Sequence, residues 1–158
     1  MSSVKIRPAT ADDSAAISVL LDQLGYPVAI EDVPQRLDAI NNLPSAIAMV
    51  ADDPERGVVG VVTSHVFPSI HAPEPIAWLT TLVILDEVRG QGVGSQLVAF
   101  VEKWAAKNGA ARVSVTSGKQ RERTHRFYEK QGYERTGIRF MKILYPGSGA
   151  GSMKSSST

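Results

Sequence analysis

The chain has 158 residues, with 17 Lys and Arg against 16 Asp and Glu, and no cysteine. That length suits one compact domain with a real core. The balanced charge excludes a protein that grips nucleic acid mainly through bulk charge. The missing cysteines exclude a disulfide framework, a thiolate metal site and a cysteine nucleophile. Hydrophobic residues make up 43% and charged residues 21%, so wholesale disorder is excluded as well. No apolar run approaches the roughly 20 residues that span a bilayer. The start, Met1-Ser2-Ser3-Val4-Lys5, has no long apolar stretch behind its lysine. The expectation is a soluble, cytoplasmic protein without a membrane or nucleic-acid partner.

In chain order, Val4 to Arg7 alternates like a short strand ended by Pro8. Thr10 and Asp13 have capping-box spacing, and Ala15, Ala16, Val19, Leu20 and Leu24 follow at helical spacing until Gly25. Asp32 opens a second helix with Val33, Leu37 and Ile40 on its inner face, complete before Pro44. Ala46–Ala51 and Val58–Phe67 read as a hairpin around the turn Asp52-Asp53-Pro54-Glu55-Arg56-Gly57. After a loop with three prolines, Ile76–Leu85 is a nearly continuous apolar run, which marks a buried central strand. A glycine-rich turn leads into a helix over Ser95–Lys107, with Leu97, Val98, Val101, Trp104 and Ala105 at helical spacing. Val113 and Val115 mark a strand. Arg121–Gln131 is a charged helix with Phe127 facing inward, and Glu134–Tyr145 reads as two short strands broken near Gly137. Residues 146–158 are Gly/Ser-rich and read as a flexible tail after a single domain over 1–145. The order predicts an α/β (α+β) domain with a mixed, mostly antiparallel sheet and helices on both faces.

The turn Arg89-Gly90-Gln91-Gly92-Val93-Gly94-Ser95 carries the chemistry. It leaves the first amides of the following helix without intrahelical partners, and the helix dipole adds positive character there. Alternate glycines let a bulky anion approach the backbone, and Arg89 adds a charge-assisted contact. The physical reading is a diphosphate site. Leu97 stands where a dinucleotide fingerprint has its third glycine, and Gln120 follows Gly118-Lys119 where a P-loop needs Ser or Thr. A turn kept glycine-rich only for tight packing is the alternative; Arg89 and the long strand before it favour the anion site.

Here the sequence resembles the GNAT family of N-acetyltransferases. Their signature of Arg or Gln, two residues, Gly, one residue, then Gly or Ala stands complete as Arg89-Gly90-Gln91-Gly92-Val93-Gly94. Their second hallmark appears as Phe127-Tyr128-Glu129-Lys130-Gln131-Gly132-Tyr133, with a helix, a strand and a helix accounting for the spacing. The resemblance covers Val4 to Tyr145. It implies a GNAT-like fold and a direct transfer of acetyl from acetyl-CoA to a primary amine on a small molecule or peptide. It further implies that Arg89, Gly90, Gln91, Gly92, Val93, Gly94 and Ser95 hold the pyrophosphate, and that Leu82, Val83 and Ile84 bind the pantetheine arm through their backbone. Tyr128 becomes the general acid that protonates the departing thiolate, a phenol of pKa about 10 being matched to a thiol of about 8.5. Read without the motif, Tyr128 is a packing aromatic. A homodimer rests on the resemblance alone.

The base has no motif. Relatives place a Glu where this chain has Thr80, Thr81 or Thr116, none of which is a base. His65, His71 and Glu74 near the central strand, and Asp22, Glu31 and Asp32 near the first helices, are the candidates, each equally readable as a solvated side chain. Relatives also carry an Asn seven residues before the tyrosine, where this chain has Arg121. The basic run from Lys119 to Arg126 suits either a 3′-phosphate contact or an exposed helix face. The rival to an enzyme is a non-catalytic acyl-CoA-binding sensor that lacks the base.

Overall fold

The structure, a computed structural model, describes residues 3–117 and 122–145. Its contacts divide the chain into two compact units, Met1–Val115 and Thr116–Thr158. The expected tail at 146–158 and the basic residues Lys119 and Arg121 lie outside the described residues.

The first unit is built on five strands in the spatial order of the sequence: β1 (Lys5–Pro8), β2 (Ala46–Asp53), β3 (Gly57–Phe67), β4 (Ile76–Ile84) and β5 (Arg112–Val115). The first four pair antiparallel, and β5 joins β4 in parallel, so the sheet is mixed as the element order requires. Helices α1 (Ser14–Leu24) and α2 (Val33–Asn41) lie before β2, and α3 (Val93–Lys107) forms the crossover from β4 to β5. Alternation along the strands sorts the core into two layers. On one face Val50, Val61 and Val83 pack with Ile17 and Leu20 of α1 and Val33 and Leu37 of α2. On the other, Val66 and Ala77 pack with Ala105 of α3. In α3 the buried positions are Val93, Leu97, Val98, Val101 and Ala105, the stripe its sequence spacing predicts. Each buried Leu or Val contributes roughly 1.5–3 kcal/mol.

Local chemistry sets the ends of these elements. Thr10 N–H donates to Asp13 Oδ2 at 2.8 Å across the short turn Ala11–Asp13 that precedes α1. The Arg7 guanidinium grips both oxygens of Asp13 at 2.8 and 2.9 Å and reaches Asp52 at 3.0 Å, tying β1 to β2 and to the start of α1. Hydrogen bonding from Arg7 holds the largely buried Asp13 carboxyl below the ordinary carboxylate range, and Asp13 and Asp52 raise the Arg7 guanidinium further. Gly60 leaves room on β3 for its neighbours: a Cβ there would lie 3.0 Å from Ile84 Cδ1 and 3.1 Å from Leu97 Cδ1 of α3, so a side chain would force both to shift.

The second unit contains α4 (Glu122–Lys130), and here two expectations are corrected. The buried ring of α4 is Tyr128, not Phe127, which is only half-buried; Tyr128 makes edge contacts with Phe127 at 5.2 Å and Tyr133 at 5.6 Å. The amphipathic stripe is one position later than a single Phe in a charged helix suggests. Nor does Glu134–Tyr145 form two strands; the described segment is irregular, with Ile138, Phe140 and Leu144 largely exposed. Alternating apolar residues make a strand only where an edge is there to pair with them. Among the described residues no strand edge pairs with them.

Candidate active site

The site begins with an irregularity in β4. The β3–β4 register runs Gly60↔Ile84 to Thr63↔Thr81, then resumes at Ser64↔Leu79, leaving Thr80 as an extra residue on β4. This bulge bends and twists the strand locally. Thr80 Oγ1 lies 2.7 Å from Thr63 Oγ1, and the wholly buried Ser64 donates its hydroxyl to the Trp78 carbonyl at 2.8 Å. These bonds fix the slip from both sides.

The parallel ladder to β5 ends at the same place. Ile76, Ala77, Trp78 and Leu79 pair with residues 112–115, and the rest of β4 has no β5 partner among the described residues. Which backbone groups face that open side follows from one bond. Leu85 N–H donates to the Val59 carbonyl at 2.8 Å, and antiparallel alternation then turns the groups of Val83 toward β3 and those of Leu82 and Ile84 away from it. The Val83 side chain belongs to the α1/α2 core. A side chain without a sequence signature closes the far end. Gln23 of α1 donates its Nε2 to the Ile84 carbonyl at 2.7 Å and accepts from Asp86 N–H at 3.0 Å through Oε1, so one amide spans the exit from the strand. A lone Gln at an inward position of a helix carries no pattern, and sequence reasoning passed over it.

Beyond Asp86–Val88, a single 3₁₀ turn, the glycine turn enters α3. Gly90 and Gly92 have φ of 82° and 86°, the left-handed region, with open space where a Cβ would be. Glycine is therefore required there by the backbone angle and not by crowding. Gly92 is the N-cap of α3 without a side-chain cap, and Gln96 N–H closes the first turn on the Gly92 carbonyl at 3.1 Å. The Gln91 amide is engaged within the turn by the Val88 carbonyl at 3.3 Å. The first-turn amides at Val93 and Gly94 precede any intrahelical acceptor and point outward with the positive end of a 15-residue helix. The Arg89 side chain is held by Asp86 at 2.9 Å, an exposed pair that a stronger anion can displace.

The first unit thus brings Leu82, Val83, Ile84 and residues 89–95 into one continuous run from an open strand edge to a helix N-terminus. Tyr128 belongs to the second unit, where its carbonyl accepts from Tyr133 N–H at 3.0 Å. The other candidates are scattered. His71 is fixed on the surface by Ser69 Oγ at 2.6 Å and Arg112 at 3.2 Å. Asp22, Glu31, Asp32 and Glu74 are exposed, and Thr116 sits 3.5 Å from an Arg139 nitrogen. No cluster of three His, Cys, Asp or Glu able to hold a metal occurs among the described residues, and no described helix is long and apolar enough to cross a membrane.

Comparison with known proteins identifies the family and the fold. The sequence matches the acetyltransferase (GNAT) family over residues 15–133, a stretch that runs through both units. It is 37% identical over 87 residues to the aminoalkylphosphonate N-acetyltransferase of Salmonella typhimurium, a match covering 55% of this chain and 56% of that protein. Its fold is similar to the crystal structure of a transcriptional regulator from Bacillus halodurans C-125, at 27% identity, with 88% of this chain and 99% of that one covered and a TM-score of 0.78. It is also similar in fold to an aminoglycoside N-acetyltransferase in complex with CoA, at 17% identity, 92% and 97% coverage and a TM-score of 0.78. The sequence match and the mixed sheet with its glycine-capped crossover helix agree: the chain belongs to the GNAT family of acetyltransferases.

Proposed function

We propose that this protein transfers the acetyl group of acetyl-CoA to a primary amine by direct attack. The observation that carries the reading is the coincidence, at Thr80, of the β4 bulge with the end of the β5 ladder, followed at once by the glycine turn. An extended, amide-bearing pantetheine arm fits the open edge as an added strand. Leu82 would offer it both backbone groups and Ile84 its N–H, the Ile84 carbonyl being held by Gln23, with Val83 holding the strand in register. The amides of residues 90–95 at the N-terminus of α3 would bind the pyrophosphate, with Arg89 exchanging Asp86 for a phosphate oxygen. Tyr128 would be the general acid. As the amine nitrogen bonds to the thioester carbon and the C–S bond breaks, the phenol delivers its proton to the sulfur. Absence of cysteine agrees with a mechanism without an acyl-enzyme.

The aminoalkylphosphonate specificity of one relative suggests a small amine bearing an anionic group as the acceptor. The match covers little more than half of that relative, so its substrate serves here as the first compound to try. A second reading, an acyl-CoA sensor without turnover, is favoured by the lack of any carboxylate on β4 and β5. Free-thiol release from acetyl-CoA, measured with 2-aminoethylphosphonate, glucosamine 6-phosphate and an aminoglycoside, separates the two. Turnover with any of them supports the enzyme, and tight acetyl-CoA binding without turnover supports the sensor. No binding of acetyl-CoA contradicts both.

A further inference from the structure

The reaction needs a group to take the proton from the acceptor nitrogen, and the structure narrows where it sits. Across β3, β4 and β5 the ionisable side chains are His65 and Arg112 alone. Arginine stays protonated, so His65 is the one proton acceptor those strands carry. Strand alternation puts His65 on the same face as Val61 and Thr63, the face covered by α1 and α2. That cover is incomplete. Val61 and Val83 are buried in the core, whereas His65, Trp78 and Thr81 are half-buried and Thr80 is exposed. The strand surface beside the bulge is therefore polar and partly open, carrying the 2.7 Å Thr63–Thr80 hydroxyl contact and the cross-strand pair His65↔Trp78.

We propose that His65 is the terminal base of the acetyl transfer, reached through the Thr80 and Thr63 hydroxyls; the proposal rests on the acetyltransferase reading above. Thr80, the exposed member, meets the acceptor amine. Thr63 lies two residues from His65 on one strand, about 6.6 Å along it, a gap that one bridging water fills. As the amine nitrogen bonds to the acetyl carbon and the C–S bond breaks, the proton leaving nitrogen passes to Thr80, from Thr80 to Thr63, and through the water to the imidazole. Each hydroxyl gives up one proton as it receives another, and the CoA sulfur is protonated separately. The surroundings leave the ring free for this task. Its ladder neighbours, Ala46 on β2 and Trp78 on β4, are uncharged, and Asp22 of α1 and Arg36 and Asp38 of α2 are exposed and do not pair with it. The other candidates fit less well. Both ring nitrogens of His71 are engaged by Ser69 and Arg112, and Glu74 lies six residues before Thr80, about 20 Å along an extended chain. Trp78 adds an aromatic face on which an ammonium can rest before it is deprotonated.

The test compares wild type with His65→Ala, His65→Asn and Thr80→Val. It measures acetyl-CoA binding by calorimetry and kcat/KM from pH 5 to 9, using whichever of 2-aminoethylphosphonate, glucosamine 6-phosphate and an aminoglycoside is acetylated. The expected result is unchanged acetyl-CoA affinity in every variant. His65→Ala should lose about 100-fold in kcat/KM at pH 7.5, together with the acid limb of the wild-type pH profile. Added imidazole should restore part of that loss, and Thr80→Val should lose about tenfold. A His65→Ala protein with wild-type kcat/KM and an unchanged acid limb overturns the proposal. So does a wild type that binds acetyl-CoA but acetylates none of the amines. A wild type that fails to bind acetyl-CoA overturns the underlying acetyltransferase reading, so the two failures are told apart.

Discussion

The two halves of β4 differ in what they pair with. Ile76–Leu79 is paired on both sides, by β3 and β5, while beyond the bulged Thr80 the residues Thr81–Ile84 have, among the described residues, only their β3 partners. In the sequence the two halves form one apolar run; in the sheet one is a core strand and the other an open edge. A row of unpaired backbone donors and acceptors is a template for an added strand. On the proposed reading, the difference teaches that binding capacity lies in backbone groups, where a ladder stops, and not in a distinctive side chain.

The strongest way to break that comparison is to remove the chemistry without disturbing the packing. Tyr128→Phe keeps the ring and its edge contacts with Phe127 and Tyr133. If the phenol protonates the leaving thiolate, kcat falls about 10²–10⁴-fold while KM for acetyl-CoA stays within about twofold. A packing role alone predicts near-normal kcat.

Proline sharpens the contrast between the halves themselves. Ala77→Pro removes a fully buried amide on the β5 side, where the Pro75 carbonyl accepts from Ala111 N–H and alternation before the bulge sets Ala77 the same way; stability should drop by at least about 2 kcal/mol, read as a lower urea midpoint. Leu82→Pro removes an amide facing the open side, so the protein should fold with a midpoint close to wild type yet bind acetyl-CoA at least tenfold more weakly. Equal destabilisation by the two would show that the halves are not different in kind.

The Arg7–Asp13–Asp52 cluster, far along the sheet from the open edge, is a control in which stability should change and binding should not. Asp13→Asn should cost roughly 1.5–3 kcal/mol at pH 7. Because Arg7 lowers the Asp13 carboxyl in the folded protein, its contribution is complete above the unfolded value of about 4 and is lost as pH falls through the lower native value. Wild type should therefore lose more stability between pH 5 and 2 than Asp13→Asn does. Smallest is Gly92→Ala, about 1–2 kcal/mol for placing a Cβ at φ 86°, accompanied by weaker acetyl-CoA binding. A substitution at Gly92 that changes stability and leaves binding untouched would remove the glycine turn from the site.

How much of this the sequence disclosed follows from what each feature depends on. Helix and strand order, the Thr10–Asp13 turn and the glycine turn were legible because periodicity, capping and left-handed glycine are local properties. The Thr80 bulge was not, since it arises from a count mismatch between β3 and β4 and no residue type announces it. Gln23 was missed because its two bonds join residues more than 60 positions apart. The strands expected in Glu134–Tyr145 show the opposite failure, a correct alternation without a described edge to receive it. The sequence reading turns Phe127 inward, whereas in α4 Phe127 is half-buried and Tyr128 is the buried residue.

The most direct measurement is backbone hydrogen exchange, followed residue by residue with and without acetyl-CoA. The account predicts new protection at Leu82, Ile84 and the amides of residues 90–95, with Ile76–Leu79 already protected and unchanged. Acetyl-CoA that binds while leaving Leu82, Ile84 and the glycine turn exchanging as before would contradict it.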